Sequence, residues 1–139
     1  MLDIVSKKKR SWIMSRVSQK HTKPEIVIRK FLFSKGFRFR LNSKNLPGSP
    51  DIVLPKYKTV IFVHGCFWHG HKNCKLAKRP SSNKKYWYFK IDENIKRDKR
   101  KVKQLKKLGW KVLTIWQCQI HKKERAEKRL KYLQEQILK

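Results

Sequence analysis

Residues 51–64 read DIVLPKYKTVIFVH, and this stretch organises the predicted fold. The runs 51–54 and 59–64 are apolar and rich in β-branched side chains, and the short polar segment PKYK separates them. Such runs on either side of a short connection are typical of two paired antiparallel strands. The stretch therefore predicts a β-hairpin.

The segment before this hairpin predicts a helix followed by a strand. The tetrapeptide TKPE at 22–25 has the pattern of a capping box with proline in the first turn, and the apolar run after it ends at Gly36. We therefore expect a helix over about 23–35. The sequence FRFRL at 37–41 alternates apolar and basic side chains, which favours a half-buried strand.

The segment after the hairpin predicts two further helices with a strand between them. Asp98 falls on the apolar stripe of the first helix, and a carboxylate that is turned inward needs a partner or a metal. The sequence WKVLTIWQC at 110–118 predicts the strand, and apolar spacing from Ala126 to Ile137 predicts the closing helix. The first helix should cover about 83–108, end before Gly109 and bury a stripe made of Trp87, Ile91, Ile95, Val102, Leu105 and Leu108.

The predicted order of elements is αβββαβα, which describes a single α/β domain whose helices cover a mixed sheet. A chain of 139 residues is long enough for one hydrophobic core and hardly for two. We expect the domain to span residues 21–139 and to follow a basic N-terminal arm over residues 1–20.

The net charge of +29, from 38 Lys and Arg against 9 Asp and Glu, indicates a polyanionic partner, and nucleic acid is the first expectation. An anionic membrane, or a ribosomal or histone-like structural role, would satisfy the charge equally. Neither explains the 5 tryptophans and 3 cysteines. No apolar run approaches the roughly 20 residues of a membrane span, and the N-terminus lacks the apolar stretch of a signal peptide, so we expect a cytoplasmic protein.

A ligand-rich segment, VHGCFWHGHKNC at 63–74, follows the hairpin. This segment contains Cys66 and Cys74, and the chain has one more cysteine, Cys118. Three is an odd number, which argues against a disulfide framework in a reducing compartment. Three thiolates and one imidazole suit tetrahedral zinc. Spacing allows either His69 or His71 as the fourth ligand, and the alternative is that the cysteines are small core residues.

Acidic residues are scarce, so each carboxylate near this segment is a candidate catalytic group. Asp51 opens a predicted strand and is expected to bind Mg²⁺ for phosphodiester chemistry, the alternative being a turn residue. Glu25 is either a second acid of the site or only part of the capping box. Because His64, His69 and His71 cannot all join three cysteines in a four-coordinate site, at least one imidazole is left to act as an acid or base.

Four segments, LPGSPDIV, VIFVHGCFWHGHKNC, WYFKIDENIKRDKR and LGWKVLTIWQC, together resemble the very-short-patch repair (Vsr) endonucleases over about residues 9–118. Enzymes of that family are bacterial and nick DNA at T·G mismatches that arise when 5-methylcytosine deaminates. The resemblance implies a restriction-endonuclease-like core, Mg²⁺-dependent strand nicking and a duplex substrate that contains a T·G mismatch. We expect with it a monomeric, nucleoid-associated protein whose product passes to downstream repair proteins.

The resemblance also assigns roles to residues of this chain. It makes Asp51 the central Mg²⁺ ligand and His69 the catalytic histidine, and the residues that complete the catalytic site are Glu25, His64 and Asp98. The structural zinc ligands that it implies are Cys66, His71, Cys74 and Cys118. It further implies a wedge that enters the base stack beside the mismatch, with base contacts next to it; these residues are Phe67, Trp68, Trp87, Lys90 and Asn94.

Two departures from known patterns concern the metal sites. Restriction enzymes usually carry an acid and a lysine on the strand after the metal-binding aspartate, whereas the strand here reads VIFVHG. Val63 stands where the Vsr group often has threonine, and its backbone carbonyl remains available as a Mg²⁺ ligand. Lys72 and Asn73 lengthen the zinc loop by one residue relative to the family pattern.

Other function classes compete with a mismatch-nicking enzyme. A zinc-stabilised DNA-binding module without chemistry would account for the charge and the aromatic residues, but it gains nothing from Asp51, Asp98 and His69 facing phosphates. A restriction-type enzyme that makes double-strand breaks would require a symmetric dimer, and no dimerisation heptad is evident.

Overall fold

The computed structural model describes residues 22–139, and a four-stranded mixed sheet in the order β1-β2-β3-β4 lies at its centre. The strands are β1 (Arg40–Leu41), β2 (Ile52–Leu54), β3 (Thr59–His64) and β4 (Lys111–Trp116). Strands β2 and β3 pair in antiparallel fashion with Ile52 opposite Ile61, so the predicted hairpin is confirmed. Strand β4 pairs with β3 in parallel over its whole length.

Within residues 22–139, four α-helices cover both faces of this sheet: α1 (Lys23–Ser34), α2 (Lys84–Lys107), α3 (Gln117–Ile120) and α4 (Lys123–Leu138). Alternate residues of the hairpin point to opposite faces, as the pleat of a strand requires. Ile52 and Ile61 join one core with α1, α3 and α4, whereas Val53 and Val60 join a second core with Leu105 of α2. The expected single α/β domain is thus confirmed, with the short α3 as an additional element.

Three local predictions were wrong. The strand expected over 37–41 is reduced to Arg40–Leu41, and Leu41 is exposed because β1 lies at the sheet edge. Leu108 lies outside the core because it is the C-terminal cap of α2. The last strand ends at Trp116, so Cys118 lies in α3.

The expected basic arm over 1–20 lies outside the described residues. Among the helices of residues 22–139, none combines the length and the apolar composition that crossing a membrane requires.

Candidate active site and metal cluster

Strand topology brings the predicted catalytic residues to the same end of the neighbouring strands β2 and β3. Asp51 directly precedes β2 and His64 ends β3, and the start of one strand meets the end of its antiparallel neighbour. Helices α1 and α2 border the same end of these strands. A cavity of about 570 Å³ opens there, and its lining includes Glu25, Asp51, Val63, His64, His69 and Asp98.

Asp51 is held in place by the backbone of the neighbouring strand. The N–H of Val63 donates to Asp51 Oδ2 at 2.7 Å. Burial raises the pKa of Asp51, although this hydrogen bond and the positive charges of Arg29 and Lys101 act in the opposite direction. The carboxyl is therefore fixed in a place where its negative charge is only partly compensated.

Glu25 takes part in the capping of α1 through its backbone and places its carboxylate in the cavity. Its backbone N–H donates to the Thr22 hydroxyl at 3.4 Å, which caps α1. Its carboxylate is 3% exposed, lines the cavity and accepts from the Arg29 guanidinium at 3.0 Å. Burial, with a further contribution from the charge of Asp51, raises the pKa of Glu25 to about 7. Two acids thus disfavour each other's ionisation in this cavity.

His69 and Asp98 form a hydrogen-bonded pair, with 2.6 Å between His69 Nδ1 and Asp98 Oδ2. Burial alone would raise the pKa of Asp98, but the hydrogen bond and charge of His69 outweigh it and lower that pKa. An ionised carboxylate only accepts hydrogen bonds, so His69 Nδ1 carries the proton. Nε2 is then the His69 nitrogen that could offer a lone pair for chemistry. Asp98 has the partner that its inward position required.

His64 lies face to face with His69, with ring centroids 3.8 Å apart and 3° between the ring planes. Burial, with a smaller contribution from the neighbouring His69, lowers the pKa of His64 to about 4, so His64 is neutral at pH 7. The ligand atoms of His64, His69 and Asp98 are near enough to be considered a metal site. Imidazole lone pairs lie in the ring plane, however, and two parallel planes never meet. These two rings cannot both bind one ion in this arrangement.

A second cluster lies on the other side of the same segment. The ligand atoms of Cys66, His71, Cys74 and Cys118 all lie within 4.8 Å of one another, so this group could hold a metal ion. The N–H of His71 donates to the carbonyl of Cys66 at 3.0 Å, which brings these two ligands together. Asn73 adopts a left-handed conformation with φ of 53°, which asparagine tolerates well, and so allows a tight turn despite the extra residue.

The thiol of Cys66 has an unfavourable environment for ionisation in the absence of a metal ion. Cys66 is fully buried, and burial raises the pKa of its thiol to about 12. A metal ion offsets this cost because it binds the thiolate form. His71 is the imidazole next to these sulfurs, with 3.4 Å between Cys118 Sγ and His71 Nδ1.

Trp116 links the two clusters, and its place two residues before Cys118 is the one sequence signal of this role. Its ring stacks on His71 with centroids 4.1 Å apart and 9° between the planes. The same ring meets His64 edge to face at 5.1 Å. Lys101 and Gln117 also line the cavity, and neither is among the site residues that the sequence predicts. Lys101 follows Asp98 by three positions on α2, a spacing that places both on one helix face.

Aromatic side chains border the cavity. Phe67, Trp68 and Trp87 form a triangle whose ring centroids are 5.1 to 5.7 Å apart. Trp68 is 48% exposed and also lines the cavity, so its ring is not a core side chain. Asn94 donates to the Trp68 carbonyl at 3.0 Å, and the exposed Lys90 lies on the same helix.

Comparison with known proteins agrees with this arrangement. The family model "DNA mismatch endonuclease Vsr" matches residues 2–76. A protein of Neisseria meningitidis described as "Type II nicking enzyme V.NmeAIP" is 47% identical over 137 residues, which cover 99% of this chain and 97% of that protein. "DNA mismatch endonuclease Vsr" of Escherichia coli is 39% identical over 125 residues, 90% of this chain and 80% of that protein. The chain belongs to the Vsr family of DNA endonucleases, whose members include nicking enzymes.

Proposed function

We propose that this protein nicks one strand of duplex DNA beside a T·G mismatch, as in very-short-patch repair. The observation that carries the proposal is one cavity in which buried Glu25, half-buried Asp51 and an oriented His–Asp pair lie next to exposed Trp68. A binding module would not need this costly arrangement of acids where phosphates approach. The name of the Escherichia coli relative supports the mismatch as the substrate.

Asp51 is proposed to bind Mg²⁺ together with the backbone carbonyl of Val63. The donor set fits this ion because Mg²⁺ prefers carboxylate and carbonyl oxygens. Burial raises the pKa of both Asp51 and Glu25, so a cation beside them would offset their repulsion. When bound, the ion would stabilise negative charge on the scissile phosphate.

His69 is proposed to move the proton. Its Nε2 accepts a proton from the attacking water while Nδ1 remains hydrogen-bonded to Asp98, whose charge stabilises the resulting imidazolium. His64 stays neutral, so its ring stacks on His69 without placing a second positive charge beside it. Phosphodiester hydrolysis then forms a bond from the water oxygen to phosphorus and breaks one bond from phosphorus to a sugar oxygen.

The second cluster is proposed to bind structural zinc through Cys66, His71, Cys74 and Cys118. Three sulfur atoms and one nitrogen fill a tetrahedral zinc site completely and leave no position for substrate. The ion would order residues 65–74, in which the described backbone forms turns rather than helix or strand. The segment that carries His69 and Trp68 would thus be fixed by the metal.

Mismatch recognition is assigned to Phe67, Trp68 and Trp87. Inserting a side chain into a base stack costs a few kcal/mol per step, and less where pairing is already weak, as at a T·G wobble. Stacking on an exposed base returns roughly 1 to 3 kcal/mol. Lys90 and Asn94 lie one and two turns beyond Trp87 on α2 and are proposed to contact bases there.

Further features of the proposal concern the whole protein. The sheet and its covering helices are proposed to form a restriction-endonuclease-like core. One copy should suffice because all five catalytic candidates share one cavity, which favours a monomer. The charge of +29 suits an enzyme that stays near the nucleoid in the cytoplasm, where downstream repair proteins would take over the nick.

The test is a nicking assay with end-labelled duplexes that differ only in a T·G or T·A pair, in several sequence contexts and with added Mg²⁺. Strand-specific nicking of the T·G duplex is expected. Cleavage of both strands of paired DNA would support a restriction-type enzyme instead. Binding without cleavage in every context would support a non-catalytic module.

A further inference from the structure

Lys101 reaches the catalytic cavity from helix α2. It lies three residues after Asp98, so the two side chains leave the helix on one face. Both line the cavity, together with Asp51 and Glu25. Most lysines of α2 are exposed, whereas Lys101 is half-buried. Its position therefore differs from that of an ordinary solvated lysine on this helix.

Gly48 makes room for the stem of this lysine. A Cβ atom at position 48 would lie 2.7 Å from Lys101 Cδ and 2.9 Å from Lys101 Cβ, closer than real carbon atoms approach. Gly48 also has φ of +78°, which other residues rarely adopt. The loop before Asp51 thus packs its bare backbone against the aliphatic part of Lys101 and holds the lysine beside the cavity.

The charge of Lys101 lies in a cavity that three acidic side chains also line. Lys101 is the only lysine or arginine among the described residues that line the cavity. The acids there are Glu25, Asp51 and Asp98, and they would repel a phosphodiester. The field of Lys101 also reaches Asp51 and Asp98 on both sides of the cavity.

We infer that Lys101 is a further catalytic residue whose ammonium group contacts the scissile phosphate and stabilises the negative charge that develops there. The inference rests on the proposed nicking activity. A preorganised cation aimed at developing charge lowers the barrier of phosphoryl transfer without moving a proton itself. Strand β3, which reads TVIFVH, contains no lysine, and Lys101 of α2 is the side chain positioned to supply this charge.

Lys101→Met tests the inference because methionine keeps an unbranched apolar stem against Gly48 and removes the charge. With protein in excess over a T·G duplex, we expect its single-turnover nicking rate to fall by about 10²-fold. Lys101→Arg should restore part of that loss. Lys107→Met is the matched control, since it removes one exposed charge from the same helix and should nick at the wild-type rate.

A second measurement uses a duplex in which a neutral methylphosphonate replaces the phosphate at the mapped nick. Without added Mg²⁺, wild-type protein and the Lys107→Met variant should bind this duplex less tightly than the natural one. The Lys101→Met variant should bind the two duplexes equally, because its partner charge is already gone. This comparison isolates one contact from the general attraction between a basic protein and DNA.

Several outcomes would overturn the inference. A wild-type rate for Lys101→Met, or equal losses in Lys101→Met and Lys107→Met, would exclude a specific contact. Lys101 would instead be structural if three results came together. The Lys101→Met variant would lose activity and melt at a lower temperature, Lys101→Arg would not restore the rate, and the methylphosphonate would still weaken binding of Lys101→Met. If the wild-type protein nicks no duplex, the proposed function fails first and the role of Lys101 fails with it.

Discussion

The two sides of the segment after β3 differ in what holds them in place. On one side, His69 joins Asp51, Glu25 and Asp98, which come from regular elements or their immediate ends and are fixed by hydrogen bonds. On the other side, three of the four clustered ligands come from the irregular segment itself. The candidate catalytic side concentrates charge that disfavours folding, whereas a bound metal would make the thiol side stabilising. Changes on the first side should therefore affect rate, and changes on the second should affect stability.

The largest effect is expected for Asp51→Ala. Loss of the Mg²⁺ ligand should lower the single-turnover nicking rate by roughly 10³-fold or more, since metal stabilisation of the transition state is worth several kcal/mol. DNA affinity should stay the same or rise, because the substitution removes a negative charge near phosphates. Single-turnover kinetics and fluorescence anisotropy measure the two quantities. Cleavage near the wild-type rate would reject Asp51 as the ligand.

His69→Ala and His71→Ala separate the two sides at positions only two residues apart. His69→Ala should lower the nicking rate by about 10² to 10⁴-fold, the usual contribution of general acid–base catalysis, and should retain zinc. His71→Ala should lose zinc and melt at a lower temperature. Elemental analysis and thermal melting of both variants provide the comparison. Zinc loss in His69→Ala with normal zinc in His71→Ala would exchange the two assignments.

Removal of the metal by a strong chelator should lower the melting temperature, because the free energy of metal binding would no longer contribute to holding the turns of residues 65–74. Differential scanning calorimetry before and after verified zinc removal measures the change. Re-addition of Zn²⁺ should restore the original curve, and added Mg²⁺ should not. An identical melting curve for the zinc-free protein would mean that the segment is held by its packing alone.

Glu25→Gln should reveal the stability cost of the catalytic side. Because burial raises the pKa of folded Glu25 to about 7 from 4.5, the folded state binds more protons than the unfolded state between these pH values. The stability contributed by this group is present at low pH and is lost as pH rises through about 7. Without Mg²⁺, the variant should be more stable than wild type above neutral pH, by roughly 1 to 3 kcal/mol.

The control for this prediction is the same pair of proteins below about pH 4.5, where Glu25 is protonated in both states and the difference should vanish. Urea unfolding at a series of pH values gives the two stability curves. If the curves run parallel across the whole range, the carboxyl has no raised pKa in the folded protein.

Trp68→Ala should have the smallest effect, on discrimination alone. Loss of one stacking contact should reduce the preference for T·G over T·A DNA by an amount within roughly 1 to 3 kcal/mol. Zinc content and melting temperature should hardly change, because the side chain is 48% exposed. Affinities for the two duplexes and a thermal melt provide the test. A variant that melts much earlier yet discriminates fully would place Trp68 in the core.

Sequence patterns were informative wherever a property repeats along the chain. The apolar runs of 51–64 predicted the hairpin, and the helical spacing after residue 83 predicted α2 together with the inward position of Asp98. The apolar pattern wrongly predicted burial at positions that no neighbouring element covers, such as Leu41 on the edge strand and Leu108 at the helix cap. Periodicity indicates which face a residue takes but not whether another element covers that face.

By itself, the sequence determined the element order, the basic charge, the candidate acids and a supply of metal ligands. Tertiary structure decided which of these residues meet. Spacing could not separate His69 from His71, because a tight turn directs neighbouring side chains apart and only the positions of Asp98 and Cys118 distinguish them. The contact between Gly48 and Lys101 joins segments that are distant in the chain. Such contacts depend on how the sheet and helices pack, which no local pattern encodes.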